Sequence, residues 1–83
     1  MKEILIVEDI SETQNWLSQI VGSAFKKGRI DITSTVLDGI EKTNQNQYDL
    51  VLIDLGLPDG SGLDVLRNIK RISPNTICVI TTI

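Results

Sequence analysis

The chain has 83 residues, of which 41% are hydrophobic, 23% charged and 4% aromatic, and its formal net charge is −3. These values predict one small globular domain and exclude a disordered chain. One cysteine excludes an internal disulfide, the absence of histidine excludes histidine-based catalysis, and basic residues without interleaved aromatics argue against direct contact with nucleic acid. No apolar stretch is long enough to span a membrane and no signal peptide is recognisable, so we expect a cytoplasmic protein.

The N-terminal segment predicts a strand followed by a helix. Ile4–Val7 is a continuous apolar run, which is typical of a strand that is buried on both faces of a parallel sheet. Ser11 and Gln14 have the spacing of a capping box, so a helix is expected to begin at Ser11. Apolar residues then recur at steps of three and four, and Trp16 falls on this inner, core-facing stripe.

The next segment predicts a second strand and a second helix. Residues 30–34 alternate between apolar and polar side chains, as a half-exposed strand near a sheet edge does. A helix is expected from about Leu37 to Asn46, with Leu37 and Ile40 on its inner face.

The remaining chain predicts two more buried strands separated by a loop and a helix. Leu50–Ile53 and Ile77–Ile80 are continuous apolar runs, and the latter makes Cys78 a small buried hydrophobe. Leu55–Gly62 is rich in turn residues, including Pro58 and Gly60. A third helix should follow it, with an inner stripe of Leu63, Leu66, Ile69 and Ile72. Strands that alternate with helices indicate a parallel α/β sheet with helices on both faces.

Acidic residues follow two of the buried strands. Glu8 and Asp9 come directly after the first, Asp54 comes after the third, and Thr81-Thr82 ends the fourth. Because ligands bind beyond the carboxyl ends of the strands in such sheets, we expect these side chains to converge. Carboxylates packed together repel one another unless a cation joins them, and Mg²⁺ suits oxygen ligands and phosphate. The sequence therefore predicts a metal or phosphate site.

Helix capping is the alternative interpretation of the acids. Asp9 could cap the first helix, and Asp59 or Asp64 could cap the third. The metal site is favoured because the acidic pair and Asp54 follow neighbouring strands with no basic residue nearby.

Two motifs and the last strand resemble a known family, the receiver domain of bacterial two-component response regulators. Ile6–Asp9 resembles the acidic pair of that family, and Asp54–Gly62 closely resembles its phosphoacceptor loop. The apolar strand that ends in threonine resembles the family's fourth strand. The resemblance runs over essentially the whole chain and implies a flavodoxin-like, three-layer, doubly wound sheet with strand order 2-1-3-4. The loop, with Ile72–Thr76 further along the chain, is most similar to regulators that carry a helix-turn-helix output domain.

The resemblance implies a role for each acidic residue. Asp54 would accept a phosphoryl group from a histidine kinase, in a phosphorelay that regulates transcription. Asp9, Glu8, Asp54 and the Gly56 carbonyl would hold Mg²⁺. The chain would be a phosphoacceptor that takes part in its own phosphotransfer and not an enzyme.

A hydroxyl would contact the phosphoryl group. Thr82 is preferred because it stands at the family's usual distance from Asp54 along the chain, and Thr81 is the alternative because neighbouring strand residues face opposite ways. The family's phosphate-contacting lysine has no candidate in this chain, since Lys70 lies on the third helix.

The resemblance, set against the length, implies a partial receiver domain over residues 1–83, with four strands and three helices and without the family's fifth strand and last two helices. The sensor kinase and a DNA-binding output domain of the full-length protein would be its partners. An exposed apolar edge at Ile77–Ile80 is expected to cause self-association.

Two alternatives stay open, namely a flavodoxin-like domain that binds a nucleotide or flavin phosphate and a pseudo-receiver used only for protein contacts. The acidic trio, namely Glu8, Asp9 and Asp54, is intact and argues against both.

Overall fold

Strands and helices alternate along residues 2–81, the part of the chain that the computed structural model describes. In chain order the elements are β1 (Glu3–Val7), α1 (Ser11–Ala24), β2 (Arg29–Thr33), α2 (Val36–Gln45), β3 (Leu50–Ile53), β4 (Gly56–Leu57), β5 (Gly60–Ser61), α3 (Gly62–Ile72) and β6 (Ile77–Ile80). The three helices and the four longer strands are those that the sequence predicts. The two-residue strands β4 and β5 lie inside the segment expected to be a loop.

The four longer strands form one parallel sheet in the order β2-β1-β3-β6. β1 lies at the centre, where Ile4 stands opposite Ile30 of β2 and opposite Leu50 of β3. β6 continues the sheet, with Ile77 opposite Leu50. This is the order 2-1-3-4, which confirms the flavodoxin-like α/β fold.

Helices cover both faces of the sheet. On one face, α1 contributes Leu17 and Val21 to a cluster with Ile4, Ile6 and Leu52. On the other face, α2 and α3 complete a larger cluster of Leu5, Val7, Val36, Tyr48, Val51, Ile53, Leu57, Val65 and Ile69. Alternate residues of a strand point to opposite faces. The two central strands are apolar from Ile4 to Val7 and from Leu50 to Ile53, because both of their faces pack against helices.

α1 begins at Ser11, as predicted, but its N-terminal cap and its inner face differ from the prediction. Ile10 occupies the N-cap position and no side chain caps the helix, so neither Ser11 nor Asp9 acts as a cap. The Gln14 amide instead donates to the Glu8 carbonyl and to Ser34 Oγ. Trp16 is 59% exposed and not in the core, because it precedes the buried Leu17 and therefore points about 100° away from it around the helix.

The inner faces of α2 and α3 are also rotated relative to the prediction. Leu37 is 68% exposed, and the buried positions of α2 are Val36, Gly39 and Thr43. The predicted stripe of α3 keeps Ile69 in the core but leaves its two ends, Leu63 and Ile72, exposed. A strict three-residue spacing falls short of the 3.6-residue turn, so such a row drifts around the helix. The buried residues of α3 are Gly62, Val65, Asn68 and Ile69.

β6 forms an exposed apolar edge of the sheet. Ile77 is 64% exposed, and Val79 and Ile80 are 42% exposed each. Cys78 is half-buried against the larger cluster, and burial raises the pKa of its thiol. None of the three helices in residues 2–81 is long and apolar enough to cross a membrane.

Candidate functional site

The three acids predicted to form a site follow β1 and β3 at the carboxyl edge of the sheet. Backbone hydrogen bonds hold them there: the Glu8 N–H donates to the Thr33 carbonyl and the Asp54 N–H donates to the Val7 carbonyl, each at 2.9 Å. The parallel ladders therefore continue one residue beyond the strands. This continuation aligns the acids of two neighbouring strands.

Glu8, Asp9 and Asp54 each place one carboxylate oxygen within 4.8 Å of the other two. Glu8 is buried, with 4% of its surface exposed, whereas Asp54 is half-buried and Asp9 is exposed. The structure thus brings together acids that lie far apart in sequence. The group is open to solvent on the Asp9 side.

Burial and like charge act together on Glu8. Burial raises the pKa of the Glu8 carboxyl, and the hydrogen bond with Asp9 and the charge of Asp54 raise it further. The Ile10 N–H donates to Glu8 Oε2 at 3.2 Å and opposes this shift. Three carboxylates in one place favour a bound proton or a bound cation.

The donor set suits a hard divalent cation. It consists of carboxylate oxygens only, which is the ligand type that Mg²⁺ and Ca²⁺ prefer. Gly56, the fourth expected ligand residue, is two residues from Asp54 on β4, and its N–H donates to Asp54 Oδ1 at 3.4 Å. A backbone N–H thus faces the Asp54 carboxylate, and backbone N–H groups of such loops can bind anions.

The segment after Asp54 folds back on itself. β4 and β5 pair as an antiparallel ribbon, with Gly56 opposite Ser61 and Leu57 opposite Gly60. The Gly62 N–H donates to the Leu55 carbonyl at 3.0 Å and closes the loop. Gly60 has a φ of +150°, a conformation that other residues rarely adopt.

The alternative capping roles of the acids are wrong for α3. Ser61 caps α3, because its Oγ accepts from the Leu63 N–H at 3.1 Å. Asp64 instead forms an exposed ion pair with Arg67. Asp59 instead caps α2, a pairing that the sequence does not suggest: its carboxylate accepts from the Val36 N–H at 2.7 Å and from the Leu37 N–H at 3.0 Å. No local signal could have shown this partner, because the two segments are remote in sequence.

Thr81 and Thr82, the two candidates for the hydroxyl, differ in what can be described. The Thr81 N–H donates to the Ile53 carbonyl at 2.9 Å, which places Thr81 beside the residue before Asp54. Its Oγ1 is buried and makes no hydrogen bond within residues 2–81. Thr82 lies outside the described residues.

Lys70 lies at the opposite end of the molecule. Its Nζ donates to the Thr76 carbonyl at 3.4 Å, just before β6 begins. That position is at the amino-terminal edge of the sheet, whereas the acids lie at the carboxyl edge. Lys70 therefore does not reach the acidic group.

Comparison with known proteins gives a consistent result. The family model for the response regulator receiver domain matches residues 4–83. The chain is 35% identical over 81 residues to the response regulator ArlR of Staphylococcus saprophyticus, covering 98% of this chain and 36% of that protein. It is 36% identical over 75 residues to the cell cycle transcriptional regulator CtrA of Caulobacter vibrioides, covering 88% of this chain and 31% of that protein. The chain thus spans about a third of the length of these relatives.

Solved structures show the same similarity. The response regulator protein TrrA of Thermotoga maritima, in complex with Mg²⁺ and a beryllium fluoride, superposes with a TM-score of 0.87 at 27% identity. The match covers 99% of this chain and 70% of that one.

Proposed function

The chain belongs to the response regulator receiver domain family, and we propose that Asp54 accepts a phosphoryl group from a histidine kinase in a Mg²⁺-dependent reaction. The convergence of Glu8, Asp9 and Asp54 on one edge of the sheet carries this proposal. Three carboxylates repel a bare phosphate, which argues against a domain that binds a nucleotide or flavin phosphate. The intact trio likewise argues against a pseudo-receiver.

In the proposed reaction, a carboxylate oxygen of Asp54 attacks the phosphorus of a phosphohistidine. The bond between phosphorus and oxygen forms as the bond between phosphorus and nitrogen breaks, and the imidazole keeps the electron pair. The Gly56 N–H orients the Asp54 carboxylate through Oδ1. The chain thus takes part in its own phosphorylation without turning over as an enzyme does.

We propose that Asp9, Glu8, Asp54 and the Gly56 carbonyl hold the metal ion. When bound, Mg²⁺ would neutralise the oxygens that gather charge during transfer. Burial of Glu8 and its contact with Asp9 support this assignment, because both make an unpartnered carboxylate costly. For the hydroxyl that contacts the phosphoryl group we keep Thr82 as the first candidate and Thr81 as the second. The burial of Thr81 Oγ1 without a hydrogen bond in residues 2–81 supports Thr81 as a real alternative.

The partners follow from the family. We propose that this chain is cytoplasmic, that a sensor histidine kinase supplies the phosphoryl group and that a DNA-binding output domain of the full-length protein reports it. CtrA, a relative described as a transcriptional regulator, supports this proposal. We further propose that residues 1–83 are a partial receiver domain, since the match covers 70% of the TrrA chain.

Incubation with acetyl phosphate tests the proposed function. With Mg²⁺ present, we expect one phosphoryl group per chain, located on Asp54 by peptide mapping. The reason is that Mg²⁺ neutralises the charge of the three carboxylates, so the Asp54 carboxylate can attack the phosphorus. Removal of Mg²⁺ with a chelator should prevent the modification. Absence of any modification with Mg²⁺, in a sample that circular dichroism shows to be folded, would contradict the proposal.

The edge at β6 supports the expected self-association. Val79 stands opposite Leu52, which belongs to the α1-side cluster, so Val79 faces the same side of the sheet as α1. Trp16 and Ile20 are exposed on α1 at 59% and 48%. An apolar edge strand with unpaired backbone groups is a template for a second strand. We propose that two copies of this chain pair through β6.

Val79→Lys should prevent that pairing, because a charged side chain on an edge strand opposes strand addition. We expect the wild-type chain to sediment as a dimer at high concentration and Val79→Lys as a monomer. Leu37→Lys is the matched control, since Leu37 is 68% exposed on α2 and should leave the dimer intact. A monomeric wild-type chain in analytical ultracentrifugation would contradict the proposed pairing.

A further inference from the structure

Asp59 links the phosphoacceptor loop to α2. The loop is the segment Asp54–Gly62, and Asp59 lies at its turn, between β4 and β5. Its Oδ1 accepts from the Val36 N–H at 2.7 Å and its Oδ2 accepts from the Leu37 N–H at 3.0 Å. Both carboxylate oxygens therefore bind the first turn of a helix that lies elsewhere in the sequence.

Asp59 supplies two of the three side-chain hydrogen bonds that cap the N-terminus of α2. The first four N–H groups of a helix have no partner within the helix. At α2, Thr35 satisfies a third: its Oγ1 accepts from the Asp38 N–H at 3.0 Å. The Thr35 carbonyl accepts from the Gly39 N–H at 3.0 Å, which is the first hydrogen bond within the helix. Asp59 and Thr35 thus complete the same cap, but only Asp59 belongs to the loop.

Packing reinforces the link between the loop and α2. Leu57 of β4 and Val36 of α2 are both buried in the larger cluster. A Cβ at Gly60 would lie 3.6 Å from Val36 Cγ2, so β5 also approaches the helix. The hydrogen bonds from Val36 and Leu37 lower the pKa of the Asp59 carboxyl, because they favour the charged form that accepts them. The loop is consequently held at its far end as well as at Asp54.

We propose that Asp59 is a positioning residue for phosphotransfer: by holding the turn of the loop against α2, it fixes the backbone that follows Asp54. The proposal rests on the proposed role of Asp54 as phosphoacceptor. The ribbon transmits the restraint, because Asp59 follows β4 and precedes β5, and Gly56 pairs with Ser61 across it. The Gly62 N–H bond to the Leu55 carbonyl closes the same segment and reports on its order.

Asp59→Asn and Thr35→Ala together separate positioning from helix stability. Both weaken the cap of α2, but only Asp59→Asn releases the loop, because an amide offers one acceptor oxygen where the carboxylate offers two. In Asp59→Asn we expect faster hydrogen exchange at the Gly62 amide and a rate of phosphorylation by acetyl phosphate, at saturating Mg²⁺, that falls roughly tenfold or more. In Thr35→Ala both quantities should stay within about twofold of the wild type, since its bonds stay within α2.

Two results would overturn the role of Asp59. One is wild-type exchange at Gly62 in Asp59→Asn, and the other is an equal loss of phosphorylation rate in Asp59→Asn and Thr35→Ala at matched unfolding midpoints. Asp38→Asn controls for charge, because it removes an acid from the same helix turn. If the wild-type chain takes up no phosphoryl group, the proposed function fails, whereas the exchange measurement still decides whether Asp59 orders the loop.

Discussion

Asp54→Asn should take up no phosphoryl group from acetyl phosphate under conditions that modify the wild-type chain fully. The amide that replaces the carboxylate is not a nucleophile for phosphorus, so the loss should be complete rather than partial. The side chain keeps its size and can still accept from the Gly56 N–H. The fold should therefore survive, and intact-mass spectrometry of the treated proteins measures the difference.

The stability of Asp54→Asn towards urea provides a second measurement on the same variant. The charge of Asp54 is one of the factors that raise the pKa of the Glu8 carboxyl, so its removal relieves repulsion within the trio. We expect Asp54→Asn to unfold in urea at the same or a higher concentration than the wild type when no Mg²⁺ is present. Asp64→Asn, which removes an exposed acid from the first turn of α3, is the matched control and should be phosphorylated normally. Phosphorylation of Asp54→Asn to the wild-type level would show that the acceptor lies elsewhere.

Gly62→Ala should destabilise the chain by about 3 kcal/mol, a large share of the ~5–15 kcal/mol that is typical of a whole domain. A Cβ at Gly62 would collide with the Asp54 carbonyl oxygen, lie 2.6 Å from Ile53 Cγ2 and lie 3.0 Å from the Asp54 carbonyl carbon. Two of these atoms are backbone atoms of Asp54, which follows β3 and is held by the bond from its N–H to the Val7 carbonyl of β1. They cannot move aside as the end of a flexible side chain can. α3 would have to shift away from the site.

Gly22→Ala is the control for this second prediction. Gly22 lies within α1, and a Cβ there would have no atom outside its own helix turn within 4 Å. Alanine should therefore stabilise α1 by about 0.5–1 kcal/mol through its helix propensity. Urea unfolding followed by circular dichroism measures both variants. Equal midpoints for Gly62→Ala and the wild type would mean that α3 does not pack against Asp54 as closely as the structure shows.

The site could be located from sequence because its position depends on strand ends. Each continuous apolar run predicted a strand, and the residue after each run had to lie at the carboxyl edge of a parallel sheet. Glu8 and Asp54 follow β1 and β3 for that reason, and the two strands are direct neighbours. The metal ligands and the acceptor remain proposals, whereas their proximity is a property of the fold.

The directions of individual side chains on the helices were harder to predict. The spacing of apolar residues predicts that Trp16 and Leu37 lie on inner faces, but both are exposed. Periodicity shows that a helix has an apolar stripe, but it does not show which of two neighbouring apolar residues, such as Val36 and Leu37, lies at the centre of that stripe. Which residue is buried depends on the part of the sheet and the other helix against which the stripe packs.

The sequence by itself therefore determined the order of the elements, the parallel sheet and the edge at which the acids gather, because all three depend on local runs of apolar residues and on the strand ends. Only the tertiary structure decided which residue caps which helix and how the phosphoacceptor loop is held. Asp59 shows the reason: its partners Val36 and Leu37 come from a remote part of the chain. A hydrogen bond between distant segments leaves no pattern in either of them, since it exists only after the sheet has brought the two together.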